Sequence, residues 1–132
     1  MTKPDINVYE LAAKRDIAGL TKALKSKDNA VRYSAARAIS KLGPDASEAM
    51  PALIEMLKHW DTMTRAAAAG AIGNIGINYK KDVELAVPVL QETLKDRENI
   101  VRRAAATALQ DIDPDPWYHE EEEDPETFMD SL

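Results

Sequence analysis

The stretch Asn29-Ala-Val-Arg-Tyr-Ser-Ala-Ala-Arg-Ala-Ile-Ser-Lys-Leu-Gly43 decides the fold, because the chain carries it three times. The second copy is Thr62-Met-Thr-Arg-Ala-Ala-Ala-Ala-Gly-Ala-Ile-Gly-Asn-Ile-Gly76, and the third is Asn99-Ile-Val-Arg-Arg-Ala-Ala-Ala-Thr-Ala-Leu-Gln-Asp-Ile-Asp113. In register, Val31, Ala35, Ala38, Ile39 and Leu42 match Thr64, Ala68, Ala71, Ile72 and Ile75, and Val101, Ala105, Ala108, Leu109 and Ile112. The spacing i, i+4, i+7, i+8, i+11 is one face of a helix. Alanine at two of the five places in every copy lets neighbouring helices approach closely.

Upstream of each copy lies a second apolar stripe: Ile17, Leu20, Leu24; Met50, Leu53, Leu57; and Val87, Leu90, Leu94. The spacing i, i+3, i+7 is again helical. Each unit is therefore a helix pair, and a stack of such pairs is an all-α solenoid in which each unit buries its neighbour's face. We delimit the units as 16–43, 45–76 and 82–113. Residues 1–15 form an N-terminal segment whose helix, over about Ile6–Arg15, caps the open end of the stack. Four inserted residues, essentially Ile77 to Lys80, lengthen the loop between units two and three.

Short polar turns join the two helices of each unit, and Asn29, Thr62 and Asn99 are placed to cap the second one. Gly43 and Gly76 suit a left-handed residue where that helix ends. Asp45 with Glu48 reads as a capping box, and Pro51 and Pro88 predict a bend in their helices.

With 45% hydrophobic but only 5% aromatic residues, the core is aliphatic. The absence of cysteine excludes disulfides, thiolate metal sites and cysteine nucleophiles. No stretch reads as a signal peptide or membrane span, so a soluble cytoplasmic protein is expected. The net charge of −6 is unevenly spread. Residues 114–132 hold eight acids and no Lys or Arg, a separate acidic tail. The preceding 113 residues set all 17 bases against 15 acids, a net of +2. A near-neutral body with an acidic tail argues against nucleic acid as a partner.

Nothing in the sequence carries catalysis. There is no Ser–His–Asp arrangement, no carboxylate pair and no metal-ligand spacing, so neither metal nor cofactor is expected. The run Gly70-Ala-Ile-Gly-Asn-Ile-Gly76 lacks the spacing of a phosphate loop and follows a helix rather than a strand. His59 and His119 stand far apart, and Glu120 to Asp124 read as a solvated charge run.

The recurring Val31-Arg32, Ala35-Ala36, Ala38-Ile39, Leu42-Gly43 pattern, with its two echoes, resembles the HEAT-like repeats of the phycobilisome-lyase type over about residues 16–113. Departures are Thr64 for valine, Glu98 for aspartate, Gly70 and Gly73 within a helix, and Asp113 for glycine. Tetratricopeptide repeats want aromatic residues inside the helices and ankyrin repeats a Thr-Pro-Leu-His turn; the recurring positions of the units have neither. The resemblance implies a right-handed array whose second helices line the concave face. It also implies that Asp28, Asp61 and Glu98, with Arg32, Arg65 and Arg102, form a structural ladder. The alternative is a row of cations for an anionic partner.

On that concave face the second helices present Tyr33, Arg37 and Ser40; Ala66, Gly70 and Gly73; and Arg103, Thr107 and Gln110. The central unit is nearly bare. Either this is the floor of a groove for a partner helix or extended peptide, or the glycines relieve crowding in the stack. The expected function is a non-catalytic protein-binding adaptor. The resemblance adds an alternative, a subunit or chaperone of a bilin lyase or isomerase system. The tail's acids are placed to contact Arg32, Arg37, Arg102 and Arg103. Trp117-Tyr118 either folds back on unit three or serves a partner, and residues 126–132 have the pattern of a docking peptide.

Overall fold

The structure is a computed structural model and describes residues 6–75 and 80–112. It is all helical over those residues. Helix α1 spans Val8–Ala13, α2 Ile17–Ala23, α3 Asn29–Leu42, α4 Met50–Met56, α5 Thr62–Ile75, α6 Lys80–Thr93 and α7 Asn99–Ile112. A 3₁₀ segment, Gly43–Ala49, leads into α4. The pairs α2/α3, α4/α5 and α6/α7 are the three repeats, and α5 packs against both α3 and α7. This is an α-solenoid.

The apolar stripes form its core. Leu20, Leu24, Met50, Leu53, Leu57, Val87 and Leu90 are buried on the first helices. Ala35, Ile39, Ala68, Ala71, Ile72, Ile75, Val101, Ala105, Ala108, Leu109 and Ile112 are buried on the second. Leu94 is exposed, because among the described residues no unit follows the third to cover it. Helix α1 closes the other end. It is shorter than expected, and Arg15, at a φ of 55°, turns the chain out of it. Val8 is buried and Leu11 packs against the core, so α1 covers the outer face of the first unit.

Several local expectations are corrected. Asp28, not Asn29, caps α3, accepting from the Ala30 N–H at 2.9 Å. Asp61, not Thr62, does so for α5, accepting from the Thr64 N–H at 3.0 Å. Asn29, Thr62 and Asn99 are instead the first helical residues. The Asp45–Glu48 capping box does not form. Gly43 takes a φ of 62° and a ψ of −139°, and the chain enters the 3₁₀ segment at once, without a side-chain cap. Asp45 pairs with Arg15 at 2.5 Å. Pro51 bends nothing: it lies in the first turn of α4, where its missing N–H costs no hydrogen bond. Pro88 sits inside α6, which runs unbroken across it. Gly76, the inserted loop 77–79, Asp113, the Trp117-Tyr118 pair and the tail lie outside the described residues.

Candidate functional site

The arginines come first, because they fix how the units meet. In each unit the arginine Nη1 donates to the backbone carbonyl six residues earlier: Arg32 to Ser26 at 2.8 Å, Arg65 to His59 at 2.8 Å, Arg102 to Asp96 at 2.7 Å. Each guanidinium thereby staples its own turn. The first two also reach the next unit. Arg32 is 2% exposed; its Nε donates to the Thr64 hydroxyl at 2.9 Å, and that hydroxyl donates to Asp61 at 2.7 Å. The Arg32–Asp61 separation is 3.7 Å. Asn29 also accepts from Arg32, and the guanidinium lies 5.5 Å from the centre of the Trp60 ring.

Arg65 is buried and donates to both carboxylate oxygens of Asp96, at 2.8 and 3.1 Å. This bidentate pair corrects the expected ladder. Asp96 faces Arg65 in the third unit, whereas Glu98 is exposed and gives its own N–H to Asp96 at 2.9 Å. Asp28 caps its helix and pairs with no arginine among the described residues. Thr64, a departure from the valine of the repeat, is the relay between units one and two. Val101 holds its place in unit three, where Asp96 meets Arg65 without a relay.

Protonation follows the ladder. The hydrogen bond from the Thr64 hydroxyl holds the Asp61 carboxyl below the usual range against the effect of burial, with help from the Thr64 N–H and Arg32. Burial works to raise Asp96, but the Arg65 bonds and the Glu98 N–H bring it below the usual range. His59 is lowered by burial first and by the nearby Arg32 charge second, and its Nδ1 accepts from the Asp61 N–H at 3.0 Å.

The nine residues expected on the concave face separate into three sets. Tyr33, Arg37 and Ser40 of α3 come together with Gly70 of α5 around a cavity of about 310 Å³, which Lys41, Ala67 and Asn74 also line. No carboxylate lines it. A Cβ built on Gly70 would meet nothing within 4 Å. Ala66 and Gly73 are buried. A Cβ on Gly73 would lie 2.9 Å from the Cα of Ala108 and 3.1 Å from its Cβ, so this glycine lets α5 and α7 approach. Arg103, Thr107 and Gln110 are exposed on α7.

Across the groove Asn74 donates to the Ser40 hydroxyl, and Arg37 stands 5.7 Å from the Tyr33 ring centre. Tyr33, Arg37 and Lys41 also line a second cavity of about 420 Å³, between α1 and α3, so this cationic ridge of α3 borders both. Lys41 and Asn74 stand four residues beyond Arg37 and Gly70, and helical spacing marks them as same-face neighbours. Asp96 has no such signal. Among the described residues no three His, Cys, Asp or Glu side chains cluster as a metal site, and no helix is long and apolar enough to cross a membrane.

Stacked helix pairs tied by buried arginines, with an open groove between second helices, define a repeat protein of the HEAT and armadillo class. The chain belongs to the HEAT-repeat family, whose model matches residues 17–110. The family is typically a non-catalytic scaffold. Nothing in the match singles out the phycobilisome-lyase type of repeat. The fold is similar to the crystal structure of an engineered protein, at 27% identity and a TM-score of 0.66, over 86% of this chain and 52% of that one. A second engineered protein is 29% identical with a TM-score of 0.60, over 83% of this chain and 30% of the other. A designed armadillo repeat protein in complex with the peptide (KR)4 is similar in fold, at 20% identity and a TM-score of 0.65, over 80% and 50% of the two chains. The chain thus spans about half the length, or less, of these structures. No curated protein matches it.

Proposed function

We propose that this protein is a binding scaffold that holds an extended, acidic segment of a protein partner in the groove between α3 and α5. The observation that carries the reading is the combination of floor and wall. Gly70 leaves the floor open, and Arg37 and Lys41 form a wall without a carboxylate. The designed armadillo protein of similar fold is in complex with the basic peptide (KR)4. Here the wall is cationic, so charge complementarity favours the opposite peptide.

The test is Gly70→Leu, which fills the floor where no atom stands in the way. A fluorescent peptide of alternating Glu and Asp is the probe, read by anisotropy at low salt. The variant is expected to bind at least about tenfold more weakly, about 1.4 kcal/mol, with an unchanged circular dichroism spectrum. Equal affinity in a folded variant rejects the groove. The lyase-type role suggested by the repeat's resemblance is tested separately by incubation with a bilin and its apo-acceptor. We expect no change in visible absorption.

A further inference from the structure

We infer that the groove between α3 and α5 has an occupant within the chain, the acidic run Glu120 to Asp124. The inference rests on the reading of that groove as a peptide site and names a competitor for it. Three observations carry it.

The first is charge. Arg37 is exposed and Lys41 is exposed, on consecutive turns of α3, and no acid lines the groove beside them. Asp45, four residues beyond Lys41, is engaged elsewhere, with Arg15. Arg32, which the sequence offered as a tail contact, is excluded because it is buried and bonded.

The second is reach. The last described residue is Ile112, at the C-terminal end of α7, and the C-terminal turns of α3, α5 and α7 meet at Ser40–Asn74 and Gly73–Ala108, so α3 ends at Leu42 on the same side, two second helices away. Packed helices lie about 8–10 Å apart, so the distance to cover is on the order of 20 Å. At about 3.3 Å per extended residue, some six or seven residues cover it. Glu120 is the eighth residue after Ile112. The acidic run thus begins where the chain first reaches Lys41 and Arg37.

The third is composition. Between Ile112 and the run stand Asp113, Pro114, Asp115 and Pro116, and prolines favour an extended path over a helix. Beyond the run the chain carries no cation that would oppose docking.

The chain has no cysteine, so Thr127→Cys gives a single attachment point for a nitroxide on the full-length protein. At about 0.01 M salt, the Gly70, Asn74 and Lys41 amide signals are expected to broaden. They recover near 1 M, as the Debye length falls from about 30 Å to about 3 Å. Arg37→Glu with Lys41→Glu is expected to abolish the broadening at low salt in a protein whose remaining amide spectrum is unchanged. Replacing Glu120 to Glu123 with lysine in the otherwise native chain should abolish it too, and that variant leaves the groove intact. Broadening confined to Arg103 and Thr107 of α7, or none, overturns the inference. The two readings are separated by adding the Glu/Asp peptide to the lysine-tail variant. If that peptide shifts the Gly70 amide while the native tail does not broaden it, the groove stands and the tail contact falls. If neither does, both fall.

Discussion

Gly70 and Gly73 stand three residues apart on α5 and answer to different demands. A side chain at 70 would enter open space, whereas a Cβ at 73 would press on Ala108 at 2.9 Å. Glycine inside a helix costs roughly 0.5–1 kcal/mol relative to alanine. Gly70→Ala should therefore stabilise the protein by about that amount. Gly73→Ala gains the same propensity but must push α7 away, and overpacking of that kind costs about 1–3 kcal/mol. Urea denaturation of the two single variants should give shifts of opposite sign; a stabilised Gly73→Ala would refute the packing role. The sequence displayed both glycines on one face and left their roles open. A three-residue step rotates a helix by about 60° short of a full turn, enough to move a residue from a groove to a contact. Which neighbour lies there depends on how closely two distant units approach.

At the scale of elements, the ladder holds the stacking register. Arg65 and Asp96 join α5 to the turn before α7, and both side chains are largely buried, at 7% and 12% exposure. Asp96→Asn would leave a buried guanidinium without its counter-charge. Removing one partner of a buried pair costs about 3–5 kcal/mol, and some water access at this edge places the expectation near the lower end. Glu98→Gln should change stability by less than about 0.5 kcal/mol, because Glu98 is exposed and lends only its backbone. Thermal melts of the two variants decide between the acids; equal losses would contradict the pairing. The repeated arginine was legible in the sequence, and its partner was not. Register alignment pointed to Glu98, but the turn ahead of α7 brings Asp96 to the guanidinium. The same alignment placed the helix caps one residue late, at Asn29 and Thr62. Asp28 and Asp61 stand one position before the first helical residue, where a side-chain oxygen folds back onto the first turn, as their bonds to Ala30 and Thr64 show.

For the whole molecule, the ladder makes stability depend on pH. Asp61 and Asp96 titrate lower in the fold than in the open chain, so their contribution is present above about pH 3.9 and lost as pH falls through the folded values. His59 is also lowered, so the folded state resists its protonation and stability begins to decline below about pH 6.5. The melting temperature should be level near pH 7–8, fall gently below pH 6.5 and steeply below about pH 4. Replacing Asp96 with Asn should flatten part of the steep limb. A melting temperature that rises between pH 6 and 3 at constant ionic strength would contradict this assignment. Because a solenoid's stability is nearly a sum over units and interfaces, weakening one rung should loosen one interface rather than change the fold.

The sequence by itself determined the architecture. Helical periodicity and threefold repetition are local properties, carried by the apolar stripes and the alanines whatever their neighbours turn out to be. Hence the helix pairs, the aliphatic core and the N-terminal cap could be read directly. Tertiary structure alone decided the partners: Asp96 for Arg65, Thr64 between Arg32 and Asp61, Ala108 against Gly73, and the open space over Gly70. These contacts join residues about 30 or more positions apart, or depend on a clearance, and both are set by the distance and rotation between packed units. Sequence spacing fixes which face a residue occupies, but not what stands opposite that face.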